Sequence, residues 1–217
     1  MRRSDIFPKP PIRQNLFDIV LTTALLCLPS SAYAAVFNIA SGGQIFDFST
    51  SVFTFSVSGE GTITDLNVRF SAQHTYDSDL TVFLRSPTGT QIELFSQVGS
   101  FEDNFQDTLL DDQAAIAITS GNAPFIGAYR PSNPLSAFNG QNPNGTWTLS
   151  IVDDFAADDG YLYQAGDAAP WGTALGTQLS FNSSTPLPYE FSPTLGILVL
   201  GDWGAATQLK KQLQKRK

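Results

Sequence analysis

The chain of 217 residues holds one cysteine and one histidine. That scarcity closes off much of the chemistry small proteins perform with thiols and imidazoles. A disulfide needs a pair, so Cys27 alone excludes an internal one. Any Ser-His-Asp or Cys-His arrangement would have to run through His74, the only imidazole able to take and return a nucleophile's proton. Lysine is absent between Ala35 and Tyr189, where Arg69, Arg85 and Arg130 face sixteen Asp and Glu. A surface of that sign does not gather phosphates, which excludes nucleic acid as a partner. Such concentrated negative charge repels itself and is offset by solvation or by a bound cation.

Long apolar runs are missing too. Near the N-terminus, Ile19 to Leu28 is a run of ten residues, too short to cross a bilayer as a helix but right for the apolar region of a signal peptide. Residues 193–209, seventeen in all, reach only the lower edge of a membrane span. The N-terminal run follows the basic residues Arg2, Arg3, Lys9 and Arg13 and precedes Ala32-Tyr33-Ala34, so residues 1–34 are expected to be a signal peptide cleaved after Ala34. Cleavage removes Cys27, leaving a thiol-free exported protein whose stability rests on its core and on any metal it binds.

At the other end, residues 183–192 read as a linker with a short motif, Pro188-Tyr189-Glu190-Phe191, and residues 193–217 as a hydrophobic helix with a basic tail, Lys210 to Lys217. This three-part order resembles the PEP-CTERM class of bacterial sorting tails, and the resemblance implies membrane association at the cell envelope. Asp202, near the middle of the apolar segment, costs about 2.5 to 3.5 kcal/mol on insertion scales. An amphipathic helix lying on a surface is the other reading.

Between these ends, residues 35–182 show the period of two that a half-buried strand requires. Phe53, Phe55 and Val57 alternate with small polar residues; Leu66, Val68 and Phe70, then Leu80, Val82 and Leu84, do the same. Ser86-Pro87-Thr88-Gly89 suits a tight turn returning the chain along Gln91 to Phe95. Asn144-Gly145, before Trp147, Leu149 and Ile151, reads as a hairpin turn, and Gln178 to Phe181 as a closing strand. One all-β domain follows, a jelly-roll-like antiparallel β-sandwich without long helices.

The order of motifs from His74 onward resembles the P domain, or Homo B domain, that follows the catalytic domain of proprotein convertases and kexin-like subtilases. The matching pieces are His74, Asp79-Leu80, Ser86-Pro87, Gly89-Thr90, Thr108, Asp111-Asp112, Pro124-Phe125, Tyr129-Arg130-Pro131, Asn144-Gly145-Thr146-Trp147, Asp153 and Asp159-Gly160. The sequence departs from the pattern where Gln164 to Pro170 intervene before Trp171, which reads as a loop insertion. The resemblance implies a sandwich that supports folding, stability or substrate choice of a protease, but no Gly-Thr-Ser segment around a nucleophile precedes the motifs.

Function therefore reads as an exported, non-catalytic interaction or stabilisation module. The alternative is an accessory domain assisting a separate exported serine endopeptidase in proteolysis, and a third reading is a carbohydrate-binding module. The expected partner is an exported peptidase, a surface protein or a glycan. Ca²⁺ is the expected cation, because Asp77, Asp79, Asp111, Asp112, Asp153, Asp154, Asp158 and Asp159 fall in turns or strand ends and hard cations take oxygen ligands. Asp79, Asp111, Asp112 and Asp153 are the candidate ligands because they match family positions; the plainer role for such residues is to cap turns. For a glycan, Phe125, Tyr129, Tyr161 and Tyr163 are the candidate stacking surface.

Overall fold

The computed structural model describes residues 34–184. Thirteen strands follow one another: β1 (Ala34–Asn38), β2 (Gly43–Ile45), β3 (Thr50–Val57), β4 (Ile63–His74), β5 (Leu80–Arg85), β6 (Gln91–Ser96), β7 (Phe105–Leu110), β8 (Phe125–Tyr129), β9 (Gly145–Asp153), β10 (Gly160–Leu162), β11 (Ala168–Ala169), β12 (Gly172–Thr173) and β13 (Gln178–Ser183). Three short 3-10 turns, Asp77–Asp79, Ile118–Ser120 and Leu135–Phe138, interrupt them, and no α-helix occurs among the described residues. The segments expected to be a signal peptide (all but Ala34), most of the linker and a C-terminal helix with a basic tail lie outside that range.

Two sheets carry the fold. One is antiparallel in the order β3-β9-β5-β6; the other runs β1-β13-β4-β10-β2, with β7 pairing β4 and β8 running parallel to β7. The chain is thus an all-β sandwich, as its alternation predicts.

The twelve-residue β4 organises the second sheet. Its first half pairs with β13 and its last three residues with β10, while β7 pairs residues 68–72. Ala72 bonds to both β10 and β7, and Val68 to both β13 and β7, so β10 and β13 must share one edge of β4 and β7 take the other. Between β10 and β13 the chain leaves that edge, makes the small β11-β12 hairpin and returns. Here lie the residues predicted as an inserted loop, with Trp171 at the hairpin tip. The excursion closes cleanly because Tyr163 N–H donates to Ser71 O and Thr177 N–H to Tyr163 O, both at 2.9 Å.

The core forms where inward faces meet. Trp147, Leu149 and Ile151 on β9 are fully buried, with half-buried Thr148, Ser150 and Val152 between them. Trp147 packs against Phe138 at 5.0 Å and Phe181 at 5.4 Å between ring centroids, and its indole N–H donates to Pro143 O at 2.8 Å. Phe70, Phe95, Phe105 and Phe125 form a second aromatic run at 4.8 to 5.3 Å.

The Ser86-Pro87-Thr88-Gly89 turn forms as expected, with Gly89 at φ +97° and its N–H bonded to Ser86 O at 3.0 Å. Asn144-Gly145 differs from expectation. It is not a hairpin turn: β9, which it opens, pairs with β3 and β5 and not with the strand before it. Gly145 does adopt a positive φ of +132°, and a Cβ there would meet Pro87 Cβ at 2.8 Å, so the glycine admits the neighbouring turn. Asn144 instead ties the β3-β4 loop, donating from Nδ2 to Glu60 O at 2.7 Å and accepting Glu60 N–H at 3.0 Å.

Replacing Trp147 with alanine would leave a void between the sheets and an unpaired Pro143 carbonyl. We expect a loss of about 3 to 5 kcal/mol, read from denaturant midpoints; a loss under about 1 kcal/mol would show that this ring does not join the sheets.

Candidate functional site

Chemistry-bearing side chains collect at one end of the sandwich, where β4 ends, β5 begins and β9 ends. His74 closes β4 and Asp153 closes β9, and the two meet with Nε2 3.2 Å from Asp153 Oδ2, both side chains without solvent exposure. The other ring nitrogen, Nδ1, lies 2.9 Å from Tyr76 O. With Nδ1 protonated the ring donates to Tyr76 O, and with Nε2 protonated it donates to Asp153 while Nδ1 accepts Tyr76 N–H at 3.3 Å. Neither arrangement leaves a ring nitrogen free to accept a proton from an incoming nucleophile. Gly160, on β10, permits this packing, since a Cβ there would strike the Gln73 carbonyl and His74 Cδ2.

Asp79 is 5% exposed beside this pair. Burial raises its carboxyl above the ordinary range, the Asp153 charge adds to the rise and His74 opposes it. Asp153 is also raised by burial, against bonds from Phe155 N–H and His74 that lower it. An open depression of about 470 Å³ lies over Asp79, lined also by Tyr76, Gln97, Phe155 and Asp158. Phe155 is 52% exposed at its rim.

The four aspartates chosen as calcium ligands do not come together. Asp79 and Asp153 lie at the His74 end. Asp111 and Asp112 follow β7, whose last residue pairs with Val68, six residues back from His74 along β4 and so about 20 Å away at strand rise. Asp112 accepts Leu135 N–H and Ser136 N–H, each at 2.8 Å, and so caps the Leu135–Phe138 turn. Asp111 accepts Gln113 N–H at 2.7 Å. These oxygens do the capping work of turn aspartates.

The other loop carboxylates are likewise engaged. Asp158 accepts from Thr75 Oγ1 at 2.6 Å, Asp154 from Thr81 Oγ1 at 3.0 Å and Asp159 from Gln44 Nε2 at 2.9 Å. Among the described residues no three His, Cys, Asp or Glu side chains converge as a metal cage.

One carboxylate stands out from this pattern. Asp77 is completely buried; its Oδ1 accepts Asn104 N–H at 2.9 Å and its Oδ2 has no partner. Asn104 Oδ1 is also buried and unpartnered. Burial pushes the Asp77 carboxyl up to about 8, the Asn104 N–H works against that and the Asp103 charge adds to it. Asn104 escaped the sequence reading because it lies outside any alternating run, at φ +79°, a conformation asparagine tolerates better than most residues.

The predicted aromatic platform is not a surface. Phe125 is fully buried and stacks on Phe105 at 4.9 Å, and Tyr163 is 6% exposed with its hydroxyl donated to Gln73 Oε1 at 2.8 Å. Tyr129 packs edge-on against Phe125. Of the four, Tyr161 alone is substantially exposed, at 40%.

Residues 63–166 match the family model of the proprotein convertase P-domain, from the first residue of β4 to the loop after β10. Over 141 residues the chain is 28% identical to a calcium-dependent protease of Nostoc sp. and 27% identical to a calcium-dependent protease of Trichormus variabilis. Each alignment covers 63% of this chain and 19% of the relative, so the aligned part spans about a fifth of those proteins. Two crystal structures of the serine protease of Aeromonas sobria are also similar. The one of its complex with the chaperone is 16% identical with a TM-score of 0.39, and the one of the protease is 18% identical with 0.38; each match covers 70% of this chain and 26% of that one.

Two expectations follow. In chelator, the unfolding midpoint falls as pH rises from about 4 to about 8, because the folded chain retains on Asp77 a proton that the unfolded chain releases near 3.8. That contribution is complete below the unfolded value and lost as pH passes the folded one, and Asp77→Asn flattens the profile; a wild-type midpoint flat or rising across the window refutes it. His74→Ala strands the Asp153 carboxyl and lowers stability by about 3 to 5 kcal/mol, measured by urea unfolding. A change within about 0.5 kcal/mol would mean that the pair is not structural.

Proposed function

We propose that this chain is an exported, non-catalytic β-sandwich module of the P-domain type that acts by binding or stabilising. One observation carries the reading: its only imidazole is buried, with both ring nitrogens engaged by Asp153 and the Tyr76 carbonyl. General-base activation of a serine or cysteine requires an imidazole within reach of the nucleophile and of substrate. His74 instead fastens two strand ends together. Export rests on the signal-peptide pattern of residues 1–34, and association with the envelope on the apolar segment and cations of residues 193–217.

Calcium belongs to this reading as a stabiliser. Of the expected ligands, Asp79 and Asp153 lie at the His74 end, while Asp111 and Asp112, the first two residues after β7, accept backbone N–H groups elsewhere.

The second reading is an accessory domain that assists a separate exported serine endopeptidase. It is favoured by the curated relatives, which are named as proteases and match this chain over only 19% of their length. A partner peptidase that gains yield or heat resistance when co-expressed with this chain supports the accessory role, and an unaffected one leaves the module to act alone.

Purified full chain incubated with a broad peptide library should release no fragments. Hydrolysis that co-purifies with the chain and survives His74→Ala would falsify the non-catalytic reading, because it would reveal a nucleophile that needs no imidazole.

A further inference from the structure

Two oxygen acceptors, Asp77 Oδ2 and Asn104 Oδ1, are buried without a partner on residues joined to each other by a 2.9 Å bond. An unpaired buried acceptor costs about 1 to 3 kcal/mol, more when charged, and with Asp77 ionised the two acceptors call for a cation. No donor side chain answers. The sequence between Arg85 and Arg130 contains no Lys or Arg, and the loop carrying Asn104 adds Glu102 and Asp103.

That loop is wrapped around the Asp77–Asp79 turn. Asp77 N–H donates to Glu102 O at 3.1 Å and Ser78 N–H to Ser100 O at 3.2 Å. Gly99 comes so close that a Cβ would meet Phe125 Cε2 at 2.9 Å and Asp77 Cβ at 3.0 Å. Its φ is +89°, and Gln97, Ser100 and Asn104 also adopt positive φ, an arrangement held only where surroundings fix it. A depression of about 310 Å³, lined by Gly99, Ser100, Phe101, Glu102, Asn122 and Ala123, opens beside the same loop.

We propose that Asp77 and Asn104 are ligands of a calcium ion held between the Asp77–Asp79 turn and the 97–104 loop. Calcium takes six to eight oxygens at about 2.3 to 2.6 Å and accepts carboxylate, amide, main-chain carbonyl and water together, so a site with one buried carboxylate and one amide oxygen needs no cluster of acids. Asp103 supplies further negative charge beside Asp77. The site is distinct from the four aspartates the sequence nominated and from the His74–Asp153 pair. It does not depend on what the module binds.

The test is thermal unfolding of the full chain in excess calcium chloride and in chelator, with magnesium chloride for comparison. At a hundredfold excess over Kd the midpoint should rise by about 5 to 10 °C, and magnesium, which demands a tighter octahedral cage, should do less. Asp77→Asn and Asn104→Ala should each lose most of the calcium shift, while Asp79→Asn and Asp112→Asn keep it. Should either site variant fail to fold, the other variant and calorimetric titration of wild type still decide. No calcium shift and no binding heat in wild type overturns the proposal, leaving Asp77 as a neutral acid bonded to Asn104. A shift that survives both site variants, or that only Asp79→Asn removes, overturns it as well.

Discussion

The two sheets are joined at one end by a polar clamp. His74 ends β4 of one sheet and Asp153 ends β9 of the other, and their contact lies wholly out of water. A carboxyl buried in this way is costly unless paired, so the strand ends are fixed relative to each other by more than apolar packing. Much of the local sequence serves that contact. Gly160 brings β10 against the imidazole, Asp154 N–H donates to Asp79 O at 2.9 Å, and Asp153 N–H donates to Ser49 O at 2.8 Å. The motif residues His74, Asp79, Asp153 and Gly160 therefore form one packing unit gathered from four segments.

The same view explains other motif residues as scaffold. Arg130 donates from Nη1 to Ala114 O and Ala115 O at 2.8 and 2.7 Å, holding the loop after β7. Thr108 Oγ1 donates to Phe125 O at 2.7 Å, and the Ser86–Thr90 turn rests against Gly145. A chain with so few basic residues uses Arg130 to satisfy carbonyls rather than to balance charge. The acidic surplus is managed by giving carboxylates hydroxyl and backbone donors, which explains why so many loop aspartates lie next to Thr, Gln or a turn N–H.

Alternation made the strands legible: Trp147, Leu149 and Ile151, and Leu80, Val82 and Leu84, announce their buried face directly. The turn at Ser86-Pro87-Thr88-Gly89 was equally plain because proline and glycine restrict the backbone locally. What pattern alone does not carry is which loops share an end of the sandwich. Asp111 and Asp153 look alike in sequence, yet one caps a turn beside β7 and the other is locked to His74. Asn144-Gly145 misled for a related reason, since its positive φ accommodates a neighbouring turn instead of reversing the chain. Phe125 and Tyr163 read as surface residues from their irregular surroundings, but each extends the core beneath a loop.

The register of the outermost strand pair has a mechanical meaning. Ala34 lies opposite Asn182, and Asn182 opposite Asp65 near the start of β4. Chain arriving at residue 34 and chain leaving at residue 184 therefore pass through one corner, while the His74 corner lies nine residues farther along β4, about 30 Å away at strand rise. Anything joined to the chain after residue 184 therefore starts from the corner opposite the carboxylate-rich tip.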